Sequence, residues 1–366
     1  MNDEQYMNLA LKLAAKGRGY ASPNPMVGAV IVRNGRIIGQ GCHQCCGQNH
    51  AEVNAIDSAR ENVAGSTLYV TLEPCCHYGK TPPCTDKIIR HKIRRVVIGA
   101  ADSNPLVACQ GIACLQSAGI DIRTGVLENE CRNLNEVFFH FMETGLPFVT
   151  VKYAQTLDGR IATATGNSQW ISSPASLKFA HQLRADHDAI LVGIGTVIQD
   201  NPTLTVRNVR GRNPLRIIMD SDLVIAPEAN VLQDISRIPT LIATTKNSAD
   251  AQFRKLAAAG AELLRVDADE RGYVDLIKLL PLLAARKISS VLIEGGAQTI
   301  TSALKDNLVN RLVTVIAPKI IGKGIEAVGD LNIRDLKDAK LLSVRKVIKK
   351  GADVIMDCRL SPPSNL

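Results

Sequence analysis

Between His50 and Cys84 the chain places one imidazole and two thiols, with a carboxylate two residues after the imidazole. It reads His50-Ala51-Glu52, then Glu73-Pro74-Cys75-Cys76-His77-Tyr78-Gly79-Lys80-Thr81-Pro82-Pro83-Cys84. His50, Cys75 and Cys84 suit one tetrahedral Zn²⁺ per chain with its fourth position open to water. Zinc lowers the pKa of such a water to about 7. Glu52 is placed to shuttle protons without ligating. A purely structural zinc would need a fourth protein ligand, Cys76 or His77, and would have no use for Glu52.

A second set of candidates lies after residue 147. Gly193-Ile194-Gly195 lacks the third glycine of a dinucleotide fingerprint. Glu294-Gly295-Gly296 is the better candidate, because small residues let a pyrophosphate approach a helix's free N–H groups; the pair could equally serve a tight turn. Arg184 and Arg207 carry forks that match a phosphate bidentately, or are solvated surface residues. Trp170, the only tryptophan, is either core or a cofactor contact, and Glu294 either a proton relay or a cap. In the first half, Asn24 binds substrate or caps its turn. Lys80 could reach a pyrimidine carbonyl or a phosphate, or be solvated, and His43 and His77 could line the same pocket. Cys42, Cys45, Cys46 and His43 invite a second metal but have no matching second pair nearby.

These residues need elements to hold them. Apolar spacing predicts a helix over 3–16, stopped by Gly17-Arg18-Gly19. After the rigid Ser22-Pro23-Asn24-Pro25 loop, strands at 27–32 and 37–42 flank Asn34-Gly35, a hairpin signal. A helix from His50 to about Glu61, a strand at 67–71 and a helix from Cys84 to about His91 follow. Both thiols would then lie near a helix N-terminus, which favours thiolate. A strand at 95–99, a helix at 110–118, a strand at 120–124 and one amphipathic helix at 128–143 complete a mixed sheet covered by helices on both faces. Past a linker at 144–147, strands are expected at 148–154, 188–192, 215–219, 240–243, 290–293 and 312–316, with a closing hairpin at 343–348 and 353–358. Ser173 before Pro174 and Ser248 are expected helix caps.

At 366 residues the chain is long for one core, and two domains are the default. Residues 1–146 hold 14 Lys+Arg against 13 Asp+Glu; residues 147–366 hold 29 against 22. Nine of the ten cysteines lie in the first part. This asymmetry predicts two domains with different ligands, the basic one suited to anionic small molecules. Scattered positive charge argues against nucleic acid. No apolar run is long enough for a membrane span. The acidic, polar start lacks a signal-peptide pattern, so a cytoplasmic location with metal-bound or free thiols is expected.

His50-Ala51-Glu52 and Pro74-Cys75 match the zinc-deaminase signature His-x-Glu…Pro-Cys-x-x-Cys, although eight residues separate Cys75 from Cys84. Over nearly its whole length the chain resembles the bifunctional riboflavin-biosynthesis deaminase/reductase family, where the longer spacing is normal. The resemblance rests on the full Glu73–Cys84 string, Pro23-Asn24-Pro25-Met26-Val27-Gly28, Lys152–Arg160, Ser168-Gln169-Trp170-Ile171, Asp200–Arg207 and Glu294-Gly295-Gly296. It implies a cytidine-deaminase-like α/β/α domain over 1–146 and a dihydrofolate-reductase-like α/β domain over 147–366. The implied chemistry is deamination of a 2,5-diamino-6-(phosphoribosylamino)pyrimidinone, then reduction of its ribosyl group to ribityl by NADPH. His50, Cys75 and Cys84 would bind zinc, with Glu52 as proton shuttle. Ala154, Trp170, Thr196, Asp200, Ser221 and the helix start Gly296, Ala297, Gln298, Thr299, Ile300, Thr301 and Ser302 would contact NADP. Ser168, Arg184, Leu204, Arg207 and Glu294 would contact the phosphoribosyl substrate, with Lys152 a further active-site candidate. Cys76 stands where the resemblance leads one to expect serine. A homo-oligomer is implied. The competing readings are a nucleotide or tRNA deaminase with an unrelated appended domain, and a zinc-stabilised binding module without activity.

Overall fold

The computed structural model describes residues 1–78, 82–103 and 109–360, so Lys80 lies outside the described residues. Two compact units, Met1–Gly145 and Leu146–Leu366, each have their own core. Among the described residues no helix is long and apolar enough to cross a membrane.

The first unit contains strands β1 (Gly28–Arg33), β2 (Arg36–Cys42), β3 (Thr67–Leu72), β4 (Arg95–Ala100) and β5 (Asp121–Arg123), in sheet order β2-β1-β3-β4-β5. β1 pairs antiparallel with β2 and β3, and β3–β4–β5 are parallel, so the sheet is mixed. Its helices are α1 (Asp3–Ala14), α2 (Ala51–Asp57), α3 (Cys84–Arg90), α4 (Gln110–Ser117), α5 (Glu128–Leu134) and α6 (Glu136–Thr144). α1 starts with a capping box, Asn2 and Gln5 exchanging side-chain bonds of 2.9 Å.

Two glycines fix the layers. A Cβ on Gly28 would lie 2.0 Å from the Ala10 carbonyl oxygen of α1, and one on Gly41 would lie 2.4 Å from the Ala51 carbonyl oxygen of α2. Gly41 pairs with Ala29, the neighbour of Gly28, so the two glycines face opposite sides of the sheet. α1 and α2 therefore lie on opposite faces.

The second unit contains β6 (Phe148–Thr156), β7 (Arg160–Thr163), β8 (Ala189–Gly193), β9 (Leu215–Met219), β10 (Thr240–Thr245), β11 (Glu262–Val266), β12 (Ser290–Glu294), β13 (Arg311–Ala317), β14 (Gly324–Glu326), β15 (Leu342–Lys350) and β16 (Asp353–Leu360). Nine strands form one sheet, β11-β10-β9-β8-β12-β6-β13-β16-β15, parallel except where β16 meets β13 and β15. β7 and β14 pair separately. The helices are α7 (Pro174–Asp186), α8 (Ile194–Asp200), α9 (Asn230–Gln233), α10 (Asp250–Ala258), α11 (Leu276–Ala285) and α12 (Ala297–Lys305).

Several expectations from sequence are corrected. The helix expected over 128–143 breaks at Asn135, whose side chain accepts from Met26 N (2.7 Å) and donates to Met26 O (2.9 Å). α2 stops at Asp57, well short of Glu61. Ser173 sits at the N-cap of α7, but its hydroxyl is drawn to Asp353 Oδ2 (2.7 Å) and does not cap. Ser248 lies one residue before the N-cap Ala249 of α10 and makes no cap bond.

Candidate functional site

In the first unit, α2 and α3 deliver the metal candidates. His50 is the N-cap of α2, Glu52 lies in its first turn, and Cys84 opens α3. Cys75 follows β3 in a loop held by Glu73. The Glu73 carboxylate is 4% exposed and accepts from Asp102 N (3.1 Å), Cys109 N (3.1 Å) and Ile112 N (3.2 Å). Sequence reading overlooked this anchor; its one signal is a carboxylate directly before Pro74-Cys75.

His50 Nδ1 lies 3.3 Å from Cys84 Sγ and 3.5 Å from Cys75 Sγ. Zinc bonds of 2.0–2.3 Å at tetrahedral angles would separate nitrogen and sulfur ligands by about 3.6 Å, so the trio fits the ion. It is the one metal-competent group of three or more such side chains among the described residues; neither Cys76, His77 nor the Cys42–Cys46 cluster joins it. A structural site with four protein ligands finds no support there.

The electrostatics match. Hydrogen bonds from Cys84 and His50 overcome burial and bring the Cys75 thiol down to about 4, while Cys84, the partner that keeps its proton, is pushed up. Glu52 is 3% exposed, and burial, reinforced by the Cys75 thiolate and partly opposed by His50, pushes its carboxyl up to about 7. A buried carboxyl poised near neutrality can both take and give a proton.

The remaining candidates in this unit bond to one another. His43 Nδ1 donates to the Asn49 carbonyl (3.1 Å), which leaves Nε2 to accept from Asn24 Nδ2 (3.1 Å). The His43 ring stands edge-on to that of His50, with centroids 5.4 Å apart, and burial lowers its pKa. Asn24 is thus neither free nor simply a turn cap. His77 Nδ1 is buried without a partner among the described residues.

In the second unit a cavity of about 620 Å³ opens at the C-terminal ends of β6, β8, β9 and β12, the usual ligand position in open α/β sheets. Of the sequence candidates, Lys152, Ala154, Ser168, Trp170, Arg184, Thr196, Asp200, Leu204, Ser221, Glu294, Gly296, Ala297, Gln298, Thr299, Ile300 and Ser302 line it. Two do not. Thr301 turns its hydroxyl to Ala297 O (2.6 Å) and accepts from Gly329 N (2.8 Å). Arg207 is held by Thr203 and Thr205. Asp269, Arg271 and Tyr273 line the cavity unforeseen, because no motif marks the turn that carries them.

Lys152 and Glu294 are direct neighbours in the β6–β12 register. Arg184 donates to Glu294 through Nη2 (2.7 Å) and Nε (3.2 Å), and through Nη1 to Thr205 O (3.2 Å). The fork expected to clasp a phosphate therefore clasps a carboxylate. Against the cost of burial, the charges of Arg184 and Lys152 hold Glu294 at about 2. Burial lowers the Lys152 pKa, with Glu294 opposing. Gly295 and Gly296 have φ of +90° and +78°, and no side chain caps α12. Its first N–H groups are left to a ligand or water. Trp170 is exposed at the cavity wall.

Residues 1–100 match the family model described as the cytidine and deoxycytidylate deaminase zinc-binding region, and residues 147–351 match the RibD C-terminal domain. The riboflavin biosynthesis protein RibD of Aquifex aeolicus is 46% identical over 355 residues, 97% of each chain. That of Escherichia coli is 38% identical, covering 97% of this chain and 99% of the relative. A solved Thermotoga maritima structure, named as a diaminohydroxyphosphoribosylaminopyrimidine deaminase/5-amino-6-(5-phosphoribosylamino)uracil reductase, superposes with a TM-score of 0.87. It is 37% identical, covering 98% of this chain and 99% of that one.

Proposed function

The chain belongs to the RibD family of riboflavin biosynthesis proteins, and from that premise we propose that its two halves catalyse two successive steps on one phosphoribosylated pyrimidine. The fold is α/β, a cytidine-deaminase-like domain followed by a dihydrofolate-reductase-like one. Residues 1–146 deaminate 2,5-diamino-6-(5-phosphoribosylamino)pyrimidin-4(3H)-one. Residues 147–366 reduce the ribosyl group of the resulting aminouracil to ribityl. The observation that carries this reading is the trio His50, Cys75 and Cys84 at ligand spacing with Glu52 buried beside it.

Zinc on that trio supplies the Lewis acidity that makes water nucleophilic at neutral pH. Glu52 takes the proton of the attacking water on its carboxylate. It delivers that proton to the ring nitrogen, then takes up the remaining proton of the hydroxyl added to carbon and passes it to the amino nitrogen, which leaves as ammonia as the C–N bond breaks and the carbonyl forms. Glu73 keeps Cys75 in place through its backbone bonds. In the second site NADPH supplies the hydride. The open N-terminus of α12 and Gly295-Gly296 take the pyrophosphate, while Trp170, Thr196, Asp200 and Ser221 border the cofactor. Ser168 and Leu204, which line the same cavity, position the phosphoribosyl group. Glu294 anchors the Arg184 guanidinium and opposes the loss of the Lys152 proton that burial favours.

The test supplies the diaminopyrimidine phosphoribosyl substrate with NADPH and follows ammonia and ribityl product together. Ammonia without NADPH oxidation would limit the chain to the first of the two steps. NADPH should also saturably quench the Trp170 fluorescence. Self-association, read by sedimentation, and a cytoplasmic location complete the proposal.

A further inference from the structure

If the cavity of the second unit holds NADPH, the premise on which this inference rests, one group of the cofactor still lacks a partner. NADPH differs from NADH by a phosphomonoester on the adenosine ribose, which is anionic at neutral pH and needs donors and positive charge. Among the described lining residues three are cationic: Lys152, Arg184 and Arg271. The first two are committed to Glu294.

Arg271 belongs to the turn between β11 and α11. That turn is tied to β9 by Val274 N donating to Ser221 Oγ (3.0 Å), and to α12 by Arg271 Nη2 donating to Ser302 Oγ (2.9 Å). Ser221 follows β9, two strands from β12 in the sheet, or about 10 Å at ~4.8 Å per strand. Ser302 lies about 9 Å along α12 from Gly296, at 1.5 Å per residue. Arg271 thus lies beyond the pyrophosphate position, away from the charged cluster where reduction takes place. That is where the adenosine end of a dinucleotide falls.

The hydrogen-bond inventory points the same way. Ser221 Oγ and Ser302 Oγ each act as acceptors here, so each hydroxyl retains its proton to donate. Asp269 Oδ2 holds Arg271 Nε (3.3 Å) and Nη2 (3.1 Å), leaving Nη1 without a partner among the described residues. Asp269 Oδ1 also accepts from the backbone of Arg271 and Tyr273 (2.9 Å each), so the turn is rigid before any ligand arrives. We propose that Arg271, with the Ser221 and Ser302 hydroxyls, binds the 2′-phosphate and makes this reductase select NADPH over NADH. Asp269 and Asp306, also in the lining, temper the attraction.

The test compares NADPH with NADH in the zinc-loaded full chain, by direct binding read as quenching of the Trp170 fluorescence and by reduction of the deaminated substrate. Arg271→Gln should raise KM for NADPH about 10- to 100-fold, the loss of one or two charge-assisted bonds. It should leave kcat and KM for NADH within about twofold, and Arg271→Lys should recover part of the loss. An equal rise in both KM values would make Arg271 only a brace for its turn and overturn the proposal. So would an unchanged NADPH KM, which would give the phosphate to another group. A wild-type chain that bound neither cofactor would overturn the cavity reading itself.

Discussion

Two glutamates, one in each half, are buried to a similar degree: Glu52 is 3% exposed and Glu294 8%. Burial penalises the charged form of both. Beside Glu52 the largest influence after burial is another negative group, the Cys75 thiolate, and the carboxyl rises to about 7. Beside Glu294 stand Arg184 and Lys152, and the carboxyl falls to about 2. The same side chain at the same depth is a proton carrier in one half and a permanent anion in the other. The difference comes from neighbours, and it matches the two chemistries: hydrolytic deamination moves protons through one group, whereas hydride transfer needs a fixed electrostatic frame.

The sharpest way to break this comparison is to remove each proton or charge in turn. Glu52→Gln keeps the side chain's size but cannot carry a proton. Deamination should fall by more than the ~10²–10⁴-fold of single-step acid–base assistance, because both proton deliveries use this group. Zinc content and reduction of the deaminated substrate should stay at wild-type levels. Glu294→Gln should do the reverse, lowering NADPH oxidation about 100-fold, the scale of losing one preorganised electrostatic group, while ammonia release continues. If Glu52→Gln silenced reduction with fold and zinc intact, the two sites would not be independent.

Next in size is an effect on stability. Glu294 ionises at about 2 in the folded chain against an ordinary 4.5. Its contribution is therefore fully present above pH 4.5 and is lost as pH falls toward 2. The shift corresponds to about 3 kcal/mol. Glu294→Gln leaves Arg184 and Lys152 uncompensated, so at pH 7 the variant should be less stable by about 3 kcal/mol. Thermal melts of the two proteins should converge as the pH is lowered from 5 to 2.5. A constant gap across that range would mean that Glu294 is not ionised in the folded chain.

The two halves also differed in how far their sites could be read from sequence. His50, Glu52, Cys75 and Cys84 fall in two short strings whose residue types and spacing already express metal chemistry. The cavity of the second half draws on β6, α7, the 200–207 segment, β12 and α12, and only resemblance gathered those residues. Arg271 escaped because a lone arginine in a turn has no local pattern; its role depends on Ser302, 31 positions away. β11 and α11 were overlooked too. Pro281 argues against a helix, yet α11 runs through it. The carbonyl left without its N–H partner is that of Ile277, on the exposed side, where water can serve it. The break in the 128–143 helix was hidden because the apolar spacing continues through it.

That break supplies the smallest effect and the last test. Asn135 is 2% exposed and closes two bonds on the backbone of Met26, 109 positions earlier in the chain, so it fastens the Asn24 loop to the α5–α6 junction. Asn135→Ala removes both partners from Met26, whose half-buried N–H and carbonyl are then left unsatisfied, at about 1–3 kcal/mol. Asn135→Asp keeps the acceptor for Met26 N but loses the donor, and should fall between alanine and wild type. Because Asn24 holds His43 beside His50, a loosened loop should also raise the KM for deamination a few-fold. Reduction, and the acid response that depends on Glu294, should not change, since every group involved lies in the other unit. If both variants melted like wild type, packing around the junction, and not the Asn135 side chain, would be what ends α5.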